Sequence, residues 1–245
     1  IFSFFVDDSN PQSTAWLKVY YVLGAVSLLA FLLLLTAPLD ESPIQNQQPG
    51  SMVKDFTKMF RLLVSPIVLV FICCAFFYVL IEQSIMSWLP TFNNKVLLLP
   101  AALSIQMASI LAGSTAVGRF LAGVLLKKLN WFLVLTSCLV LAAALVLVAI
   151  PLAQKVSGQP VTGWDNAPIA AFIFPLIGLL IAPVYPAVNS LILSALPVQK
   201  HGLMSGLIII FSALGGTTGS IITGHIFESY GGQKAFYFSL IPITI

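Results

Sequence analysis

Three polar side chains interrupt long apolar stretches of this sequence and are the first candidates for chemistry. Glu82 and Gln83 lie within one stretch, and Gln106 lies within the next. A carboxylate deep in an apolar span costs roughly 3 kcal/mol on insertion scales, so such residues usually face a cavity or a partner and mark an ion or substrate path. Tyr78 precedes Glu82 by one helical turn on the same face. We therefore predict that Tyr78 and Glu82 bind a polar ligand together; the alternative is that Glu82 is a structural carboxylate, hydrogen-bonded between helices.

Further polar positions extend this candidate pathway. Gln83 points about 100° away from Glu82 and suits either a cavity amide or a hydrogen bond between helices. Helical rise places Gln106 at a depth comparable with Glu82, which predicts a cavity shared by two successive helices. Tyr185 and Asn189 share a face of a proline-rich span, for which a broken helix lining a cavity and a simple proline kink are the two alternatives.

The last long apolar span is rich in small residues. Its small-xxx-small pairs predict close helix packing, and two of its hydroxyl side chains are added to the pathway candidates. The pairs are Gly202/Gly206 and Gly215/Gly219, and the hydroxyl residues are Ser212 and Thr217.

A glycine-flanked arginine stands near the end of the stretch that contains Gln106. Gly118 and Gly123 enclose Arg119 and precede the basic pair Lys127-Lys128. The glycines would permit close approach of a neighbouring helix, and Arg119 could bind helix C-terminal carbonyls or an acid. We predict a cytoplasmic gate here, with a positive-inside anchor as the alternative. No cation lies in the spans above Arg119 on this view, which favours a neutral or polyol substrate.

The composition identifies the elements that must position these residues. The chain has 245 residues, of which 59% are hydrophobic and 8% are charged, whereas soluble chains carry roughly 25% charged residues. Its mean hydropathy is +1.02. Apolar stretches longer than roughly 20 residues are typical of bilayer-crossing α-helices. The sequence therefore predicts an all-α polytopic membrane protein, and the net charge of +3 is too small to indicate nucleic acid.

The apolar stretches predict six complete spans. They cover about 14–37, 63–89, 96–126, 131–153, 168–196 and 202–227, and a seventh begins near Ala235. A polar turn, Pro90–Lys95, is predicted between the second span and the third.

The polar segments predict how the spans are connected. Within the linker 38–62, the amphipathic stretch 52–63 predicts either a membrane-surface helix or an extension of the next span. Residues 1–6 are interpreted as the end of an earlier span. Both termini lie inside apolar runs, so we expect the chain to be part of a longer polypeptide.

Charge distribution orients the predicted spans and limits the function. Seven basic residues lie on the side of the linker and four on the other, which favours a cytoplasmic linker. The sequence contains no HExxH motif, acidic metal cluster or Gly-rich phosphate loop, so we expect no enzyme, cofactor or metal site. The sequence lacks the Asp-Arg-Tyr and Asn-Pro-x-x-Tyr signatures of seven-helix receptors, which argues against that class of protein. The linker side holds Lys54, Lys58, Arg61, Arg119, Lys127, Lys128 and Lys200, and the other side holds Lys18, Lys95, Lys155 and Lys234.

Several of these motifs resemble the fucose permease-like sugar transporters of the major facilitator superfamily over about residues 63–245. The resemblance lies in four of their helices. Phe76-Phe77-Tyr78-Val79 with Glu82 and Ser87-Trp88-Leu89 is similar to the seventh helix, Val117-Gly118-Arg119-Phe120 with Gly123 to the eighth, Tyr185-Pro186 to the tenth, and Ser205-Gly206-Leu207 through Gly215-Gly216 to the eleventh. Glu82 stands where the fucose permease has glutamine, and Gln106 stands where asparagine is usual.

The resemblance implies a major facilitator fold. Residues 1–37 would hold the end of helix 5 and helix 6, 38–62 the central cytoplasmic linker, and 63–245 the carboxy-terminal bundle of helices 7–12. The partner would be the amino-terminal half of the same transporter.

The resemblance also implies a rocker-switch secondary transporter that binds sugar near the midplane of a bacterial inner membrane, surrounded by lipid. A proton or sodium gradient would drive uptake of a hexose or related neutral sugar. The alternative is a major facilitator transporter of a non-sugar small solute.

Overall fold

The structure is a computed structural model that describes residues 14, 17–36, 52–154 and 161–244. The described residues form ten α-helices. The helices are α1 (Lys18–Thr36), α2 (Met52–Arg61), α3 (Pro66–Lys95), α4 (Ala101–Leu125), α5 (Trp131–Gln154), α6 (Ile169–Ile181), α7 (Val184–Ala195), α8 (His201–Tyr230), α9 (Gly232–Tyr237) and α10 (Leu240–Thr244). The predicted span end at 1–6 and the linker residues 38–51 lie outside the described residues.

Six helical segments of the described residues are long and apolar enough to cross a membrane. Each corresponds to one of the six complete spans predicted from the sequence, and α6 and α7 together form the fifth. α-Helices suit the apolar interior of a membrane because every backbone N–H and C=O group there must find its hydrogen-bond partner within the segment itself. The prediction of an all-α polytopic membrane protein is confirmed.

The second predicted span is longer than expected. Helix α3 continues to Lys95 with Pro90 inside it, so the prediction of a polar turn at Pro90–Lys95 is wrong. A proline interrupts membrane helices less than its missing N–H suggests, because neighbouring groups satisfy the freed carbonyl. The 30-residue helix is about 45 Å long. Glu82 therefore lies near the middle of α3.

The fifth predicted span has a short break at Ala182 and Pro183, but both residues keep helical backbone angles, so the break has the geometry of a proline kink. Helix α6 ends at Ile181 and α7 begins at Val184, with Pro183 as the N-cap residue of α7. Proline fixes its own backbone and cannot donate a hydrogen bond to the preceding turn. The break separates α6, which packs on α4 and α5, from α7, which packs on α3 and α8.

Helices α3 and α8 meet along a glycine seam. A Cβ added to Gly215 would collide with the carbonyl oxygen of Phe76, and one added to Gly219 would collide with that of Leu80. Small residues allow such backbone contact in membranes, where van der Waals packing holds helices together. Close packing at Gly215 and Gly219 is confirmed, whereas Gly202 faces open space among the described residues.

The buried apolar side chains form two clusters: a large one along α3, α4, α5 and α6, and a smaller one where α2 packs on α3 and α8. In the larger cluster, the rings of Phe92, Phe174 and Phe236 lie 4.5–5.1 Å apart, centroid to centroid. In the smaller cluster, Met59 of α2 is buried with Met204 of α8 among the aliphatic side chains of α3. The larger cluster runs from Tyr78, in the middle of α3, to Phe92 near the end of that helix.

Candidate functional site

An ion pair connects the middle of α3 to α4. Arg119 Nη2 donates a hydrogen bond of 2.6 Å to Glu82 Oε1, and the Tyr78 hydroxyl donates one of 3.1 Å to the same oxygen. The Glu82 side chain is 10% exposed and that of Arg119 is 46% exposed. A counter-charge at this distance offsets the desolvation of a carboxylate that would otherwise be isolated in an apolar bundle.

The antiparallel run of α3 and α4 explains how these two residues meet. Along the axis, Glu82 lies about 20 Å from the end of α3, and Arg119 lies about 27 Å from the start of α4. The long arginine side chain spans the remaining distance. Gly118 fixes α4 against α6, because a Cβ there would collide with the carbonyl oxygen of Leu179.

Tyr185 of α7 contacts both α3 and α8 beside the ion pair. Its ring stacks on that of Tyr78, with centroids 5.5 Å apart and planes 23° apart. Its hydroxyl lies 3.2 Å from Ser212 Oγ of α8. Tyr185 stands in the first turn of α7, two residues after Pro183.

These groups border a cavity of about 570 Å³. Its lining offers a carboxylate, a guanidinium, an amide and three hydroxyls, so it can donate and accept hydrogen bonds around a small polar solute. The lining residues are Val79, Glu82, Gln83, Arg119, Tyr185, Ser212, Ala213, Gly216 and Thr217.

Most of the predicted site residues meet at this cavity. Glu82, Gln83 and Tyr185 line it, and Tyr78 supports Glu82 and Tyr185 from one side. The two hydroxyl candidates of α8, Ser212 and Thr217, also line the cavity. Gly216 also lines the cavity but was not predicted as a site residue. Its only sequence signal is its position next to Gly215, in a run of small residues that pack helices.

The structure does not bring Gln106 to the cavity. Gln106 lies about 8 Å from the start of α4, while Glu82 lies about 20 Å from the same end of the bundle. It also points about 140° away from Arg119 around α4. The prediction of matching depths is wrong because it counted from Arg119 at the cytoplasmic end of its helix and placed the turn at Pro90–Lys95, whereas Arg119 itself lies beside Glu82.

Two other predicted residues lie apart from the cavity. Asn189 follows Tyr185 by one turn of α7 but is not among the lining residues; its buried Oδ1 has no hydrogen-bond partner in the described part of the chain. Gly123 has open space where a Cβ would stand among the described residues. Close approach of a neighbouring helix therefore holds for Gly118 and not for Gly123.

Arg119 lies deeper in the bundle than the sequence predicted. It was expected below the cavity, at the cytoplasmic end of its helix, but it lines the cavity and pairs with Glu82. The expectation that the cavity holds no cation is wrong. A gating role for Arg119 stays a prediction, and any such gate would include Glu82.

A multi-pass helical bundle with a cavity lined by charged and polar side chains has the architecture of a membrane transporter. A family model described as the Major Facilitator Superfamily matches residues 3–220. The chain belongs to this superfamily and is a major facilitator transporter, an integral membrane protein. A search of curated proteins finds no match to the chain.

Proposed function

We propose that the chain is part of a secondary active transporter that works by alternating access and carries a hexose or related neutral sugar with a coupling cation. The observation that carries the proposal is the Glu82–Arg119 ion pair beside a polar cavity inside an apolar bundle. Intramembrane ionisable residues usually mark substrate or ion paths. The sugar and the coupling cation go beyond membership of the superfamily.

The chemistry of the cavity suits a polyol. Its volume of about 570 Å³ lies within the range of roughly 300–1,000 Å³ for small-molecule sites. Sugar hydroxyls both donate and accept, and the amide of Gln83 and the hydroxyls of Ser212 and Thr217 do the same. The Tyr185 ring supplies an apolar surface for the C–H groups of a pyranose.

Glu82 is the proposed point of cation coupling. A proton on Glu82, or a sodium ion beside it, would weaken the attraction between its carboxylate and Arg119. The guanidinium would then have donors free for the substrate, so cation binding and sugar binding would favour each other. Proton and sodium remain the two alternatives for the coupling ion.

We also propose that the described bundle is the carboxy-terminal half of the transporter in a bacterial inner membrane. An amino-terminal half of the same protein would form the opposite wall of the cavity, with the sugar between the halves. The 46% exposure of the Arg119 side chain supports this arrangement, because a second wall would reduce it. Membrane lipid would cover the outer helices.

A small organic anion is the second candidate substrate. The observation that favours it is the partly exposed guanidinium of Arg119 at the cavity, since arginine binds carboxylates with two parallel hydrogen bonds. An anion would compete with Glu82 for this side chain.

Uptake into proteoliposomes tests the function. The intact transporter is reconstituted, and labelled hexoses and small carboxylates are offered under imposed proton or sodium gradients. We expect accumulation of one hexose, and loss of that accumulation in Glu82→Gln. The control is Glu228→Gln, the same change at an exposed position near the end of α8.

The possible results separate the alternatives. Accumulation of a carboxylate and of no hexose would replace the sugar with the anion. Normal gradient-driven accumulation by Glu82→Gln would remove Glu82 from the coupling mechanism and leave only the family assignment.

A further inference from the structure

A second pocket, at the basic end of the bundle, collects three cationic side chains. Its volume is about 460 Å³. Lys58 and Arg61 reach it from the end of α2, and Lys200 reaches it from the turn before α8. None of the described residues that line it is acidic. The full lining is Lys58, Arg61, Leu62, Val64, Ser65, Lys200 and Leu203.

The charges in this pocket are mostly not neutralised by the protein. Lys58 forms an exposed ion pair of 3.0 Å with Asp55. Arg61 and Lys200 have no carboxylate within ion-pair distance in the described ranges. Like charges gathered on one pocket repel one another, and a bound anion would remove this cost.

Packing holds α2 in the position that builds the pocket. Met59 is 7% exposed and lies in the apolar cluster at this end of the bundle. Gly206 of α8 leaves room for it, because a Cβ there would lie 2.9 Å from Met59 Sδ. A 3₁₀ turn, Leu62–Val64, and the extended residue Ser65 separate α2 from α3. The alternative that residues 52–63 merely extend the next span is therefore wrong.

Two helix termini add to the positive potential of the pocket. Ser65 and Lys200 are the N-cap residues of α3 and α8, and neither side chain caps its helix. The first N–H groups of a helix carry partial positive charge and lack partners within the helix. This contribution has the same sign as that of the three side chains.

Apolar surface next to the cations indicates what kind of anion fits. Val64 is 81% exposed at the pocket, and Val53, Phe56 and Phe60 of α2 are also exposed, on one face of that helix. A helix with exposed aromatic residues on one face and lysines on another is typical of a membrane surface. A free phosphate would leave this apolar surface in water.

We propose that this pocket binds the phosphate of an anionic phospholipid, with its acyl chains along Val64 and the apolar face of α2. Anionic lipids are concentrated in the cytoplasmic leaflet, and basic pockets between membrane helices bind their headgroups. The site is independent of the central cavity and of its substrate. It would fix α2 at the membrane surface.

Lipid titration of the purified protein in neutral detergent tests the site. Short-chain phosphatidylglycerol, phosphatidylcholine and inorganic phosphate are added separately, and binding is followed by native mass spectrometry and thermal shift. The pocket variant is Lys58→Gln/Arg61→Gln/Lys200→Gln. Its matched control, Lys54→Gln/Lys127→Gln/Lys128→Gln, removes the same charge from the same side of the protein at positions outside the pocket lining.

We expect the protein to bind phosphatidylglycerol more tightly than phosphatidylcholine. Each cation near a membrane surface contributes about fivefold in affinity, so the loss of all three should weaken phosphatidylglycerol binding by about 100-fold. The control should keep its affinity. Equal weakening in both variants would overturn the site in favour of diffuse attraction. If inorganic phosphate competes as strongly as phosphatidylglycerol, the proposal that the ligand is a lipid is overturned. Equal binding of phosphatidylglycerol and phosphatidylcholine would overturn it as well.

A single substitution decides the question if the triple variant does not fold. Lys200 is exposed, so Lys200→Gln should fold and weaken phosphatidylglycerol binding by about fivefold. Unchanged binding by this variant would contradict the proposal.

Discussion

Removing either member of the Glu82–Arg119 pair should destabilise the protein, but by unequal amounts. The two side chains differ in exposure, at 10% for Glu82 and 46% for Arg119. Arg119→Gln leaves a buried carboxylate whose remaining described hydrogen bond comes from Tyr78. Glu82→Gln leaves a guanidinium that water can reach. The carboxylate is therefore the more costly charge to leave alone.

The size of the difference follows from these exposures. Loss of one partner of a buried pair costs about 3–5 kcal/mol, and we expect about 3 kcal/mol for Arg119→Gln. Exposed pairs contribute about 1 kcal/mol or less, and we expect about 1 kcal/mol for Glu82→Gln. The double variant carries no unpaired charge, so it should lose less stability than Arg119→Gln alone, a strongly non-additive result.

Thermal unfolding in detergent measures the cycle. For a protein of this size, 1 kcal/mol shifts Tm by about 2–4 °C, which predicts a Tm about 6–12 °C lower for Arg119→Gln and about 2–4 °C lower for Glu82→Gln. Glu228→Gln, at an exposed position, should leave Tm unchanged. Equal losses in the two single variants, or a double variant equal to their sum, would refute the reasoning.

Three further predictions concern the elements around the cavity. Tyr185→Phe removes the hydroxyl that contacts α8 but keeps the ring stacking. A substrate hydrogen bond to this hydroxyl would be worth about 1 kcal/mol, so uptake kinetics should show an about fivefold higher KM. An unchanged KM would exclude substrate contact through this hydroxyl. Gly219→Val forces α8 away from Leu80 of α3, so size-exclusion profiles should show little monodisperse protein, unlike Gly113→Ala, where the added Cβ meets open space among the described residues. Pro183→Ala permits a continuous helix through the break; transport should fall while membrane insertion, followed by fractionation, stays normal, and normal transport would make the break incidental.

The sequence was sufficient for the elements of the fold because long apolar runs report helices directly. All six complete spans correspond to apolar helices, and Gly215 and Gly219 pack where their spacing indicated. The ends of the helices were harder to predict. Pro90 and the polar residues after it resemble a turn in water, whereas in this bundle they continue α3 to Lys95.

That single boundary explains most of what the sequence could not predict about the site. Moving the turn by about five to six residues puts α3 residues farther from the turn and α4 residues closer to it, so α4 shifts by about 17 Å relative to α3. Gln106 then lies too close to the turn to reach Glu82, and Arg119 comes within range. Antiparallel counting from a turn after Lys95 would have found Arg119. Asn189 Oδ1 has no hydrogen-bond partner among the described residues, and the sequence gives no signal of this, since it depends on the orientation of α7.

The position of Arg119 also changes the reason for expecting a neutral substrate. The cavity does hold a cation, but Glu82 cancels its charge, so a neutral solute meets no net charge at the pair, whereas an anion must displace the carboxylate. Glu82→Gln leaves the cavity with a net positive charge and donors free on Arg119. In competition assays with labelled sugar, small carboxylates should therefore inhibit binding to Glu82→Gln more strongly than binding to the unmodified transporter. Equal inhibition would mean that the charge of the pair does not select the substrate.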